Sequence, residues 1–301
     1  MLLCTVYTVT PHSLASLTDL DLPLNVQLAT SVRGTLSARE DEQQLRLRIE
    51  RRIDVAALEL VAETGWRRRL PDGLEVPVAA LRLRDDEAPE HILAMDLVSA
   101  IAFLTDVALS LSRAIQDDRF VPESEADRAA LEKFGTDKVY HQTVVMVTSR
   151  TFGGARVTPE RIQALLPRRV GLRLYADAIK LGLDVAQFRE LWRVLESAFD
   201  RQGEELVAII AQYPPAQAMG FTNDELHGLL VLRGRASHAA SKGGLDELVA
   251  VMHQCGVNLT RLKSLVERVI STKASWGYPT LRVNELLPAQ DVTTTTVALD
   301  A

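Results

Sequence analysis

The hydrophobic pattern divides the chain into a strand-rich first part and a helical second part. In the first ninety residues, β-forming side chains alternate or cluster in short runs, as in LLCTVYTVT, LNVQLAT and EQQLRLRIERRI. The segment WRRRLPDGLEVPVAALRL is typical of a hairpin with its turn at Asp72 and Gly73. Another strand is predicted in KVYHQTVVMVT. We therefore predict a mixed α/β domain over residues 1–155.

A long apolar stretch, residues 92–114, interrupts these strands and is predicted to be a helix. Its length would span a bilayer, but Asp96 and Asp106 lie within it, and carboxylates are costly inside a membrane. We therefore expect a helix of a soluble protein, with both carboxylates and Ser99 on its wetter side. No membrane partner is expected.

Beyond the first domain the hydrophobic pattern changes, and apolar residues recur at spacings of three and four. Thr158 followed by Pro159 is typical of a helix start, a cap and then a proline at the first helical position. Several amphipathic segments follow, and Gly256 is predicted to end one of them. This pattern predicts an all-α bundle over residues 156–287 and a tail over 288–301. The fold class is therefore α+β.

Composition excludes several classes of protein. The formal net charge of -6 argues against a chain that coats nucleic acid through bulk positive charge. The two cysteines, Cys4 and Cys255, are far apart, so we expect neither a disulfide framework nor a zinc site, and the cytoplasm is the expected location. No standard nucleotide, hydrolase or metalloprotease motif is present, and no metal or other cofactor is expected.

Phe188 and Trp192 lie at helical spacing, which favours core packing over base stacking.

One polar stretch, VLRGRASHAASKGG at residues 231–244, stands out between the apolar helical segments. It contains two arginines and a histidine, Arg233, Arg235 and His238. Three further polar residues, Ser237, Ser241 and Lys242, follow or lie between them. On a continuous helix, Arg235 and His238 share a face, whereas Arg233 and His238 lie about 140° apart. Either Arg235 is the nearer partner of His238, or the helix bends near Gly234.

FRELWRVLESAF followed by LHGLLVLRGRASHAASKGG resembles the HEPN superfamily (higher eukaryotes and prokaryotes nucleotide-binding). The resemblance is greatest to the HEPN-type domains of proteins named for methylamine-utilisation operons and of related phage-defence proteins. The family motif is an arginine and a histidine with four to six residues between them, and Arg233 and His238 match it. A second match, Arg84 to His91, falls outside the predicted bundle. Catalytic members often carry Asn or Asp directly after the arginine, where this chain has Gly234.

The resemblance implies a four-helix-bundle core and a metal-independent endoribonuclease that acts on RNA as a homodimer or higher oligomer. His238 would be the general base or acid, because histidine moves protons near pH 7. Arg233 and Arg235 would stabilise the charge that builds on the phosphoryl oxygens. Ser237, Ser241 and Lys242 would hold phosphates. The N-terminal domain would regulate the nuclease or recruit a protein partner, in phage defence or toxin-like RNA cleavage.

Other functions remain open at this stage. The chain could be a non-catalytic HEPN-type scaffold for oligomerisation or partner binding, which Gly234 and the net acidity favour. A nucleotide-binding sensor is a third hypothesis, and it needs a pocket that the sequence does not identify. A histidine beside arginines at a helix end can also serve only to cap carbonyls. His227, one helical segment earlier, is predicted to be a partly buried packing residue.

Overall fold

The fold is described by a computed structural model that covers residues 1–12, 22–38, 45–69, 75–83, 89–113, 119–133, 157–242, 244–274 and 276. It has an antiparallel sheet in the N-terminal region and helices in the C-terminal region, which confirms the α+β class. The predicted turn at Asp72 and Gly73, the strand in KVYHQTVVMVT, the boundary at 155 and the tail over 288–301 lie outside the described residues.

The eight strands of the described residues lie within the first 121 residues. They are β1 (Leu2–Pro11), β2 (Leu24–Ala29), β3 (Val32–Ala38), β4 (Leu45–Arg52), β5 (Leu58–Arg69), β6 (Glu75–Leu83), β7 (Leu109–Arg113) and β8 (Arg119–Val121). Strands β1, β2 and β4 confirm the predicted runs. Strand β3 was not predicted, because Gly34 and its polar neighbours weaken the apolar alternation.

The helices form most of residues 157–274, and two of them lie earlier in the chain. They are α1 (Pro89–Thr105), α2 (Glu125–Glu132), α3 (Pro159–Leu165), α4 (Arg169–Ile179), α5 (Asp184–Phe199), α6 (Gly203–Gln212), α7 (Pro214–Ala218), α8 (Asn223–Lys242) and α9 (Leu245–Thr272). Thr158 caps α3 through a hydrogen bond that its hydroxyl accepts from the Arg161 amide, and Pro159 follows as predicted. No helix among the described residues is long and apolar enough to cross a membrane.

The main sheet is antiparallel, and β1 is an interior strand that is paired on both edges. The strand order is β2-β3-β4-β1-β7, and the short β8 pairs with the first half of β1, on the edge that β7 occupies further along. Strands β5 and β6 form a separate hairpin, as predicted. One face of the main sheet packs on α1 and α3, and Gly34 of β3 lets Leu97 of α1 approach closely, since a Cβ there would lie 2.8 Å from its methyl group.

Helix α1 differs from its prediction in length and in surroundings. It ends at Thr105, and residues 109–113 form β7 instead of continuing the helix. Asp106 follows the helix with a positive φ of 57°, which terminates it. The expectation of a solvent-facing side is wrong for two residues, because Asp96 and Ser99 are buried, at 1% and 6% exposure.

Two arginines of α4 compensate the buried carboxylate of Asp96. Arg173 Nε donates to Asp96 Oδ1 at 2.6 Å, and Arg169 Nη1 lies 3.8 Å from Asp96 Oδ2. Burial raises the pKa of Asp96, and the two guanidinium groups offset only part of that effect. A buried carboxylate needs such partners, so this contact fixes α1 against α4.

A second polar contact joins α1, α4 and α9. The hydroxyl of Tyr175, whose side chain is fully buried, lies 3.0 Å from Asp106 Oδ1 and 2.8 Å from Glu267 Oε1. Lys263 Nζ approaches the same aspartate at 2.5 Å. Burial and the two carboxylates raise the pKa of the Tyr175 phenol, so it stays protonated and donates its hydrogen bond.

The sheet and the helical bundle share one continuous hydrophobic core through α1. Helix α5 lies at the centre of the bundle and packs against α4, α8 and α9. Its side chains Phe188 and Trp192 are fully buried, which confirms their prediction as core residues. Gly256 does not end a helix, because α9 runs through it without a break. A Cβ there would lie 2.8 Å from Asp184 Oδ2, so Gly256 instead permits close packing of α9 on α5.

Candidate functional site

The polar stretch of the sequence lies on the C-terminal half of α8. This helix is capped by Thr222, whose hydroxyl oxygen accepts a hydrogen bond from the Glu225 amide at 3.2 Å. Its buried face packs into the bundle through side chains three or four residues apart, namely Leu226, Leu229, Leu232 and Ala236. The phase of this apolar face determines where each polar side chain of the helix points.

Helix α8 is continuous through Gly234, so the helical phase separates Arg233 from Arg235 and His238. At about 100° per residue, Arg233 and His238 are about 140° apart, whereas Arg235 and His238 are about 60° apart. Arg233 lies beside the buried face, and His238 is exposed to solvent. The structure therefore favours Arg235 as the nearer neighbour of His238.

Arg233 forms an ion pair with α5. Its Nη2 atom lies 3.1 Å from Glu196 Oε1, and the two side chains are 35% and 13% exposed. The hydroxyl of Ser237 donates to the carbonyl oxygen of Arg233 at 3.0 Å, so this proton is used within the helix. The ion pair ties Arg233 to α5.

Arg235 contacts α9 on the other side of α8. Its Nε donates to Glu247 Oε1 at 3.0 Å, and its Nη2 lies 2.9 Å from the same oxygen. Its Nη1 donates to Gln254 Oε1 at 2.8 Å. The guanidinium group is therefore held by two residues of α9 that the sequence analysis did not identify, because they follow it by 12 and 19 positions.

One side of α8 carries a stripe of four residues, His227, Val231, Gly234 and His238, spaced by four, three and four, and all of them except the half-buried Gly234 are exposed. The expectation that His227 is partly buried is wrong, because its side chain is 50% exposed and its Nδ1 lies 3.0 Å from Glu204 Oε1. A Cβ on Gly234 would meet nothing within 4 Å. Ser241 and Lys242 continue the helix, and their side chains lie outside the described residues.

A surface cleft of about 810 Å³ opens beside the Arg233–Glu196 pair. Its walls come from α4, α5 and the start of α6, and they carry charges of both signs, including Arg193, Glu196 and Arg201. Ser197 also lines it, with a buried hydroxyl that has no partner in the described part of the chain. The mixture of charges gives this cleft no clear preference for an anion.

The described residues support neither a reactive cysteine nor a metal site. Cys255 is fully buried, and burial together with Asp184 raises its pKa to about 11, so its thiol is protonated at neutral pH. Within the ranges given above, no group of three or more His, Cys, Asp or Glu side chains is placed to hold a metal ion. The candidate chemistry of the described chain therefore centres on α8.

Comparison of the chain with protein families, with curated proteins and with solved structures finds no match. The class that the structure defines is an α+β protein in which a helical bundle presents an exposed histidine beside an anchored arginine. The HEPN resemblance accordingly rests on the residues of α5 and α8 alone.

Proposed function

We propose that this protein is a metal-independent endoribonuclease of HEPN type. The observation that carries the proposal is the exposed imidazole of His238, one helical turn after a guanidinium that α9 holds in place. This combination supplies an imidazole, which can accept and donate a proton, and a fixed positive charge. Both are needed for cleavage of RNA by its own 2′-hydroxyl.

The proposed reaction is an internal transesterification. His238 accepts the proton of a ribose 2′-hydroxyl, and the oxygen attacks the adjacent phosphorus. The bond to the 5′-oxygen of the next nucleotide breaks, and that oxygen takes a proton, which leaves a 2′,3′-cyclic phosphate and a free 5′-hydroxyl. Arginine stabilises the charge on the phosphoryl oxygens in the transition state. Ser237, Ser241 and Lys242 are proposed to contact neighbouring phosphates.

A homodimer through α8 fits this chemistry. The stripe of His227, Val231, Gly234 and His238 has the spacing of a helix–helix seam, and Gly234 allows two helix backbones to approach closely. An antiparallel crossing would set the acidic first turn of one α8 against the basic second half of the other. Both copies of His238 would then face one RNA strand.

The decisive experiment is cleavage of single-stranded RNA by the purified protein in EDTA. We expect 2′,3′-cyclic phosphate ends from the wild type, and a loss of at least about 100-fold in rate for His238→Ala, which is the usual contribution of a general acid or base. His253→Ala is the matched control, because His253 is also exposed but lies on α9. Equal rates for both histidine variants, or no cleavage by a folded wild type, would overturn the proposal.

A non-catalytic scaffold is the second candidate, and one observation favours it. Both motif arginines are paired with carboxylates in the single chain, which lowers their attraction for phosphate. A scaffold predicts an oligomer that Val231→Glu dissociates in sedimentation experiments, with no RNA cleavage by either form. The nuclease predicts that the same variant loses its cleavage activity.

We propose that the enzyme acts in the cytoplasm, in phage defence or toxin-like RNA cleavage, and that the N-terminal domain regulates it or recruits a protein partner. The continuous core between the sheet and the bundle supports such coupling, because α1 packs on both. Expression of the wild type is expected to arrest bacterial growth, and expression of His238→Ala is not. Equal growth of the two strains would count against the toxin-like role.

A further inference from the structure

Arg233 and Arg235 are anchored on opposite sides of α8, and only Arg235 lies on the side of His238. Arg233 pairs with Glu196 of α5, whose side chain is 13% exposed. Arg235 lies one turn before His238, and side chains three apart on a helix have Cβ atoms about 5–6 Å apart. One phosphate can therefore contact both Arg235 and His238 of the same protomer.

The contacts of Arg235 leave part of its guanidinium group available. A guanidinium has five N–H groups, one on Nε and two on each terminal nitrogen. Nε and one hydrogen of Nη2 face Glu247, and one hydrogen of Nη1 is donated to Gln254. One hydrogen on Nη1 and one on Nη2 have no acceptor in the described part of the chain. Two such donors suffice for a bidentate contact with a phosphate.

We propose that Arg235 is the phosphate-binding arginine of this protein and that Glu247 and Gln254 of α9 are its positioning residues. Arg233, which matches the family motif, has a structural role between α5 and α8. This inference rests on the proposed nuclease function and adds the division of labour between the two arginines. It also makes the α8–α9 hairpin, rather than α8 alone, the unit that forms the site.

Two variants of Glu247 separate positioning from a general effect of charge. Glu247→Ala and Glu247→Gln remove the same negative charge, but only glutamine retains an oxygen that can accept from Arg235 Nε. We expect at least a tenfold loss of kcat for Glu247→Ala and a loss below threefold for Glu247→Gln, with smaller changes in KM. Gln254→Ala is expected to lower kcat, as Glu247→Ala does. Equal effects of the two Glu247 variants would show that geometry is irrelevant and would overturn the positioning role.

The phosphate contact is tested by RNA binding in the His238→Ala background, which prevents cleavage during the measurement. The affinity for a labelled single-stranded RNA is measured by fluorescence anisotropy at several salt concentrations. Loss of one phosphate contact to a single strand reduces the slope of log K against log salt by about 0.7. We expect this change for Arg235→Gln and an unchanged slope for Arg233→Gln. The reverse pattern, or no RNA binding at all, would overturn the assignment.

The outcomes for the inference and for the proposed function are distinguishable. Cleavage that depends on His238 but not on Arg235 retains the nuclease and refutes the assignment of Arg235. Absence of cleavage refutes the nuclease, and the anisotropy slopes then still decide whether Arg235 contacts phosphate. Arg235→Lys serves as a further check, since lysine keeps the charge but lacks the planar fork, and we expect no recovery of kcat. Full recovery by lysine would exclude a bidentate contact.

Discussion

Replacing Asp96 with alanine tests how strongly the sheet region is joined to the bundle. The Asp96 side chain is 2% exposed and that of Arg169 is 10% exposed, so the substitution leaves a guanidinium group buried without its carboxylate. Removing one partner of a buried ion pair costs about 3–5 kcal/mol. Arg173 is 27% exposed and can turn toward water after the loss, so we expect a cost near the lower limit, about 3 kcal/mol.

The assay is urea unfolding, followed by both circular dichroism and tryptophan fluorescence. The matched control is Glu190→Ala, which breaks an ion pair whose arginine, Arg193, is 56% exposed. Exposed pairs contribute about 0–1 kcal/mol, so this control should barely change the free energy of unfolding. If Asp96→Ala costs no more than Glu190→Ala, the reasoning about the buried carboxylate is refuted.

The Asp96 carboxylate also predicts the direction in which the stability of the protein changes with pH. Burial raises the pKa of Asp96 above its unfolded value of about 3.9, so the folded state keeps the proton to a higher pH than the unfolded state does. The stabilisation from Asp96 is therefore greatest below about pH 3.9 and falls as the pH rises through the folded pKa. Relative to Asp96→Asn, the wild type should lose stability over this rise, as urea unfolding at several pH values would show. A relative gain would contradict this.

Three glycine substitutions follow from the space around each position. Gly171→Ala places a methyl group against the Trp276 ring and should displace it, which a red shift in fluorescence would report; an unchanged spectrum contradicts that packing. Gly256→Ala forces Asp184 away from a contact at 2.8 Å and should cost about 1–3 kcal/mol in urea unfolding. Gly228→Ala meets nothing within 4 Å and should stabilise α8 by up to about 1 kcal/mol. A loss of stability in Gly228→Ala would refute the conclusion that the helix surface is open at this position.

Local signals were sufficient to predict several elements. The hydroxyl of Thr158 and the fixed φ of Pro159 act within one turn, so they predict the start of α3 whatever lies around it. The apolar spacing of α5 likewise predicts that Phe188 and Trp192 are buried, since a helix can hide only one face. In each case the cause lies within a few residues of the effect.

Features that depend on distant partners could not be predicted. Asp96 is an acid on an apolar helix, and only Arg169 and Arg173, more than seventy positions later, make its burial tolerable. Glycine is common at helix ends, which is why Gly256 was predicted to end one. In the structure it instead leaves room for the close approach of Asp184. A single sequence contains no signal for either contact.

The candidate site was partly predictable for the same reason. Helical phase alone indicated that Arg235 and His238 share a face, and the unbroken α8 agrees with that geometry. The carboxylates that hold the arginines, Glu196 and Glu247, come from two other helices and had no signal in the motif.

The position of β1 inside the sheet has a consequence for synthesis of the chain. Residues 2–11 are made before their neighbours in the sheet, which are β4, over 45–52, and β7 with β8, which are complete only at residue 121. A nascent β1 must therefore wait with both edges unpaired until β4 is made, and with one edge unpaired until β7 and β8 follow, and unpaired edges are prone to association with other chains. Slow, late closure of the sheet is expected, and a chaperone that shields β1 during synthesis would increase the yield of folded protein.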